Sequence, residues 1–225
     1  MPGFQILGQD VQRLLVDLAE GERVYAEGGH LIWKSSTVKM TARARGGLLA
    51  SLERALTGAS FFVLELEGPG RALFSGYAPG SVVEVRLGEG DSILAEHRSF
   101  LVAEDSVKYD AKLVGLGFGW LGGEGLLMAR FAGPGRVFLH SSGQAEVIEL
   151  RDGESIDVEA GHVLAMDSTV RARVSFTGLR SALFGGEGIW MAHLEGPGRV
   201  WVRSISRQQM IMGLMPEIAQ VVRSA

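Results

Sequence analysis

FFVLELEGPGRALF at Phe61–Phe74, LLMARFAGPGRVFL at Leu126–Leu139 and IWMAHLEGPGRVWV at Ile189–Val202 are one pattern written three times. Each is an alternating apolar run, a Gly-Pro-Gly-Arg tetrapeptide and a second alternating run, the signature of two strands broken by a turn. A second block repeats in step, GERVYAEGGHLIWKSSTV from Gly21, GDSILAEHRSFLVAEDSV from Gly90 and GESIDVEAGHVLAMDSTV from Gly153. It aligns Glu27 with Glu96 and Glu159, and Val38 with Val107 and Val170. Before each block runs a further strand pattern, through Leu14, Val16 and Leu18, then Val83, Val85 and Leu87, then Glu146, Ile148 and Leu150. Gly-Gly-Glu-Gly at Gly122–Gly125 recurs at Gly185–Gly188, with Thr57–Ser60 as its degenerate counterpart. Blocks that keep order and spacing define a repeat of about 65 residues, which sets the fold before any local assignment.

The repeats run over about 11–78, 79–141 and 142–204, followed by a tail at 205–225. Strands of four to eight residues punctuated by glycine make the expected class all-β. Leu48, Leu49, Leu52, Ala55 and Leu56 have helical spacing in the extra length of the first copy. Pro216 and the PEIAQVVRSA tail predict a short C-terminal helix. Apolar rows recur at Phe62, Leu64, Leu66, Ala72 and Phe74, at Leu127, Ala129, Phe131, Val137 and Leu139, and at Trp190, Ala192, Leu194, Val200 and Val202. Three equivalent inward rows imply three sheets around a shared core with a pseudo-threefold axis. A lone unit of this size would bury too little, so a single domain over 1–225 is expected.

Composition agrees and excludes several functions. The 225 residues include 32 glycines, about twice the ordinary ~7% share, and 46% are hydrophobic, so the glycines belong to turns in a packed chain. Without cysteine there is no disulfide, thiolate metal site, iron–sulfur cluster or cysteine nucleophile. A net charge of −4 argues against a nucleic-acid surface, which needs a basic excess. The longest apolar runs are strand-length and no secretory leader pattern opens the chain. No transmembrane segment and a cytoplasmic location are therefore expected.

Gly-Pro-Gly predicts a type II turn, proline presetting φ and the following glycine taking positive φ. Arg71, Arg136 and Arg199 follow it equivalently. They make an anion-binding cluster, or else they are solvated or paired with carboxylates just before the turn, Glu67 with Arg71 and Glu195 with Arg199. His30 and His162 are equivalent, with Ser99 at that position in the second copy, while His97, His140 and His193 sit elsewhere in their repeats. No His-x-His pair occurs, so His30 and His162 read as satisfied histidines and no metal or cofactor is called. Nothing in the sequence brings Glu124 and Glu187 of the Gly-Gly-Glu-Gly loops within reach of each other to make an acid–base pair. No nucleophile elbow is present. Leu73, Phe138 and Trp201 lie opposite the inward row. Phe61, Leu126 and Ile189 share their face, as do Val63, Met128 and Met191, so both faces of these strands need cover. Another sheet of the same chain or another subunit supplies it, and Leu73, Phe138 and Trp201 are the interface candidates.

Gly46-Gly47-Leu48-Leu49, then Leu52-x-Arg54-x-Leu56, then a strand and Glu67-Gly68-Pro69-Gly70-Arg71, resemble the altered inheritance of mitochondria protein 24 family, also called the mitochondrial biogenesis family. The resemblance runs from about Phe4 to Val202 and is most specific in GEGIWMAHLEGPGRVWVRS at Gly186–Ser204. It implies an all-β fold of three pseudo-equivalent sheets. Such folds are grouped as tryptophan RNA-binding attenuation protein-like, related to double-stranded β-helices, and trimers are known among them. It implies no catalytic residues, and no anchor or transit peptide is seen here. The expected function is a non-enzymatic scaffold or interaction module that self-associates, as a homo-oligomer with a trimer among the options, and that meets an unknown protein partner. The alternatives are a small-ligand or anion binder using Arg71, Arg136 and Arg199 or an inter-sheet pocket, and a cupin-like metal enzyme.

Overall fold

A computed structural model describes residues 1–44, 62–116, 126–177, 189–207, 209–211 and 213–215. The first strands are β1 (Gly3–Leu7), β2 (Arg13–Leu18), β3 (Arg23–Glu27), β4 (Leu31–Lys34), β5 (Lys39–Ala44), β6 (Phe62–Glu67) and β7 (Gly70–Ser75). Then come β8 (Gly80–Leu87), β9 (Ser92–Glu96), β10 (Phe100–Glu104), β11 (Lys108–Leu116), β12 (Leu126–Ala132) and β13 (Gly135–Ser142). The last are β14 (Ala145–Leu150), β15 (Ser155–Glu159), β16 (Val163–Asp167), β17 (Arg171–Thr177), β18 (Ile189–Glu195) and β19 (Gly198–Arg203). Helical residues at 207, 209–211 and 213–215 precede Pro216, and the helix expected from Pro216 onward lies outside the described residues, as do the helical pattern at 46–56 and the Gly-Gly-Glu-Gly loops.

The strands form antiparallel sheets ordered β1-β2-β7-β4, β5-β6-β3-β10-β13-β8, β11-β12-β9-β16-β19-β14 and β15-β18-β17. Alternation explains the elements: Leu14, Val16 and Leu18 of β2 are buried while Arg13 and Asp17 face water. Gly-Pro-Gly-Arg is a corner rather than a hairpin. β6 and β7 belong to different sheets, and so do β12 and β13, and β18 and β19. The glycine after each proline takes positive φ as expected, Gly70, Gly135 and Gly198 at 136°, 139° and 144°. The type II expectation is nonetheless corrected, because the Gly68–Pro69, Gly133–Pro134 and Gly196–Pro197 bonds are cis and these φ values lie far from the ~80° of a type II turn. The glycine before each proline is held by its surroundings, since a Cβ on Gly68, Gly133 or Gly196 would collide with the carbonyl oxygen of Ala19, Gly88 or Arg151. Each such glycine N–H is bonded to a neighbouring loop, Gly68 to the Glu22 carbonyl at 3.0 Å, Gly133 to Asp91 at 2.9 Å and Gly196 to Glu154 at 2.9 Å.

The expected single shared core is three clusters. Leu66, Ala72 and Phe74 lie in one with Leu14 and Val16. Ala129, Phe131, Val137 and Leu139 lie in another, and Ala192, Leu194 and Val200 in the third. The opposite row is also inside the chain: Leu73, Phe138 and Trp201 are 7%, 1% and 3% exposed. Phe138 packs with Leu14, Val16 and Phe74 and stacks on Phe4 with ring centroids 4.5 Å apart. Trp201 packs with residues of β3, β10 and β13. The second layer over Phe138 and Trp201 is thus another sheet of the same chain, which is why their strands carry apolar residues on both faces. Val63 and Met128 are buried the same way, whereas Phe61 and the side chains of Leu126 and Ile189 lie outside the described residues. Among the described residues no helix is long and apolar enough to cross a membrane.

Candidate functional site

The three arginines leave the corners at the starts of β7, β13 and β19, and two are fully engaged. Arg136 grips Glu104 at 2.8 Å and 3.0 Å while its backbone N–H donates to the same carboxylate at 2.8 Å. Arg199 does likewise to Asp167, with side-chain bonds of 2.9 Å and a backbone bond of 2.8 Å. This forked pairing raises the Arg199 value above its usual range, first through the Asp167 hydrogen bond. In the first copy Ser35 replaces the carboxylate and accepts only from the Arg71 backbone at 3.1 Å. The Arg71 side chain is 61% exposed and 4.0 Å from Asp17. The carboxylates just before the turns are occupied elsewhere, Glu67 by Arg23 and Lys39 and Glu195 by Arg171, so those expected pairings do not form. The signal that finds the true partner was in the repeat: Glu104 precedes Arg136, and Asp167 precedes Arg199, by the same 32 residues. A depression of about 160 Å³ beside Arg199 is lined by Asp91 and Asp167, a poor seat for an anion.

Polar side chains gather instead where short 3-10 turns, Gly28–His30, His97–Ser99 and Ala160–His162, link β3 to β4, β9 to β10 and β15 to β16. Glu27 caps the first turn by accepting from Gly29 at 2.7 Å, and Glu96 the second by accepting from Arg98 at 3.3 Å. His30 is buried, its Nδ1 3.0 Å from the Ser75 carbonyl oxygen and its Nε2 3.3 Å from that of Arg98. His162 repeats the first contact on the Arg203 carbonyl at 2.7 Å, with Nε2 3.5 Å from Glu159. Ser99 takes the third position and donates to the Glu96 carbonyl at 2.6 Å. Backbone carbonyls therefore hold both equivalent histidines. Among the described residues, no three His, Asp or Glu side chains are placed to hold a metal ion.

Sequence reasoning passed over two groups near these turns. Arg203, 5% exposed, donates to the Gly161 carbonyl at 2.9 Å and lies 3.5 Å from Glu96, tying β19 to two of the turns. His140 occupies the position equivalent to Ser75 and Arg203 and is 1% exposed, with neither ring nitrogen hydrogen-bonded. Its ring lies against Gly76, where no Cβ would fit, and edge-on to Tyr77 at 5.5 Å. Burial first, then the His30 and Arg203 charges, push its pKa down to about 4, so the ring is neutral at pH 7. Because the three equivalent positions differ, no repeat pattern pointed to it.

The comparisons agree with this architecture. A crystal structure of a Streptococcus pyogenes protein superposes with a TM-score of 0.78 over 96% of this chain and 100% of that one at 21% identity, a likeness of fold. An uncharacterized protein of Streptococcus pyogenes serotype M6 is 24% identical over 205 residues, 86% of this chain and 82% of that protein. Residues 4–205 match the profile described as mitochondrial biogenesis AIM24. With its strand pattern, corners and polar turns inside that span, the chain belongs to the mitochondrial biogenesis AIM24 family.

Proposed function

We propose that this chain is a non-enzymatic interaction module that self-associates and presents its loops to a protein partner. It is one domain of three β units about a pseudo-threefold axis, in the tryptophan RNA-binding attenuation protein-like manner. Its symmetry rests on the matched pairings β2–β7, β8–β13 and β14–β19 and the three cis corners. The observation that carries the function is where the unspent chemistry lies. Arg136, Arg199 and Arg203 are tied into the fold, whereas large apolar side chains stand exposed, Ile32 at 52%, Trp33 at 44%, Phe176 at 49% and Val147 at 49%. Adjacent exposed Ile32 and Trp33 on a short edge strand are the mark of a contact surface. We also place the protein in the cytoplasm, a location that a chain without cysteine is compatible with.

Light-scattering mass measured across a concentration series tests this reading. An assembly larger than one chain is expected. A strict monomer at every concentration, or a small molecule retained in native mass spectra, would overturn it in favour of a ligand binder.

A further inference from the structure

Two junctions between neighbouring units are closed by backbone pairing. β10 pairs with β3 in the register Val102↔Ala26 and Ala103↔Tyr25. β16 pairs with β9 in the equivalent register Ala165↔Ala95 and Met166↔Leu94. Carrying that register through the aligned blocks Gly21–Val38 and Gly153–Val170 gives a third junction, β4 with β15, with Trp33 opposite Val158 and Lys34 opposite Asp157. The structure leaves it unmade. β4 ends the β1-β2-β7-β4 sheet and β15 ends the β15-β18-β17 sheet, so each offers an unpaired strand edge. Burial follows the pairing. Leu101, Val102, Leu164 and Ala165 are 0% exposed in the closed junctions, while their counterparts Ile32 and Trp33 are 52% and 44% exposed.

We propose that a second copy of this chain closes this junction, the β4 edge of one protomer pairing antiparallel with the β15 edge of the next. The proposal deepens the self-association reading above by naming its surface. The two edges are complementary to each other in three independent respects. Register and direction are those already used twice in the chain. Trp33 would cover Val158 on one face, an aromatic against a β-branched residue, a favourable cross-strand pair. Lys34 would face Asp157, where the closed junctions have Ala103 against Tyr25 and Met166 against Leu94. Opposite charges at this junction alone select one register, because a slip by one residue removes the charge match and turns Trp33 to the other face. A foreign strand would have to supply each complement anew, whereas every copy of this chain already carries both. Asp157, 66% exposed and 2.9 Å from the exposed ring of His193, and Lys34, whose amine donates to the Val38 carbonyl at 2.8 Å, reach the new pairing by side-chain rotation alone. The contact joins unlike edges, so it is heterologous, and each added copy presents a fresh edge until the assembly closes.

The chain has no cysteine, which makes the test clean. Lys34→Cys and Asp157→Cys are introduced singly and together into the full chain, oxidised mildly and run on non-reducing gels, with mass by light scattering in parallel. Paired cross-strand residues lie within disulfide reach. The expected result is a disulfide-linked species of two or more chains in the double variant, absent from both single variants. A fast-migrating intramolecular product would mean that the edges close within one chain and would overturn the proposal. So would no disulfide in a protein that light scattering shows to be oligomeric, an outcome that leaves the self-association reading intact. A monomeric mass would end both. As a second measurement, Trp33→Lys puts a charge on an exposed edge position and should leave the fold unchanged. It should raise the dissociation constant roughly tenfold or more. An unchanged constant would overturn the proposal.

Discussion

His140 shows what the interior does to a side chain it gives no hydrogen-bond partner. Its folded-state pKa of about 4 lies below the ordinary 6.5, so protons bind the unfolded chain more tightly. Stability contributed by the neutral ring is whole above about pH 6.5 and is lost as the pH falls toward 4. The loss reaches about 3 kcal/mol. His140→Phe removes two buried nitrogens that have no partners, so it should cost under about 1 kcal/mol at pH 7.5. It should also flatten urea midpoints between pH 6.5 and 5, apart from the slope left by His97, whose pKa burial also lowers. Below that, Glu22 and Glu67, whose pKa values are lowered by hydrogen bonds, add a slope of their own. A variant as acid-sensitive as the parent would clear His140 of the effect. The three arginines give a second prediction from one motif in three environments. Arg136→Ala strands Glu104, 14% exposed, and should cost about 2 kcal/mol. Arg199→Ala should cost a similar amount by abandoning Asp167, 18% exposed. Arg71→Ala, exposed and loosely paired, should stay within about 0.5 kcal/mol. Equal costs at all three positions in urea unfolding would show that the ion pairs are not what distinguishes them.

At the scale of the element, the corner glycines separate steric need from backbone freedom. Gly133→Ala drives a Cβ into the Gly88 carbonyl and the Leu87 side chain, and should cost more than about 3 kcal/mol or prevent folding. Gly153 has φ +77° but no atom within 4 Å of an added Cβ, so Gly153→Ala should cost only about 1 kcal/mol. Urea midpoints for the pair check the contrast, and similar midpoints would remove the steric account of the corner. The corners also mark how far the sequence could be read. Alternation and the repeated tetrapeptide were enough for strands, their order and the all-β class, because both depend on neighbours in the chain. Turn type escaped because the same Gly-Pro-Gly serves a trans hairpin or a cis corner, and the choice depends on which sheet each flanking strand joins. Two apolar faces on β13 and β19 were legible at Phe138 and Trp201, but which layer covered each was not. The nearest carboxylates to Arg71 and Arg199 in sequence were the wrong partners, since sheet pairing brings position 35, 104 or 167 beside the corner instead.

On the scale of the whole molecule, the clusters do not respect the repeats. The one around Phe131 and Leu139 takes Tyr25 and Val63 from the first repeat, Val85 and Phe100 from the second, and Leu164, Ala165 and Trp201 from the third. Phe138 of the second repeat is buried in the cluster of the first, and Met128 in that of the third. A repeat array with separable cores unfolds piecewise, each unit contributing its own stability and an interface with its neighbour. Here each unit lends part of its core to the next, so the chain should behave as one cooperative body. Unfolding in urea, followed by tryptophan fluorescence and by far-ultraviolet circular dichroism, should give superimposable single transitions. The stronger form of the prediction is a cut. A chain ended after residue 141 keeps two complete sequence repeats but loses β16, the strand partner of β9, together with the Leu164 and Trp201 side chains. Each of those buried side chains is worth about 2 kcal/mol, a loss comparable to the ~5–15 kcal/mol that holds an ordinary domain together once the lost pairing is added. The shortened chain should therefore show no cooperative transition and should expose apolar surface to a hydrophobic dye. If it instead unfolds with a sharp transition of its own, the shared clusters are not what binds the repeats together, and the molecule is a stack of nearly independent units.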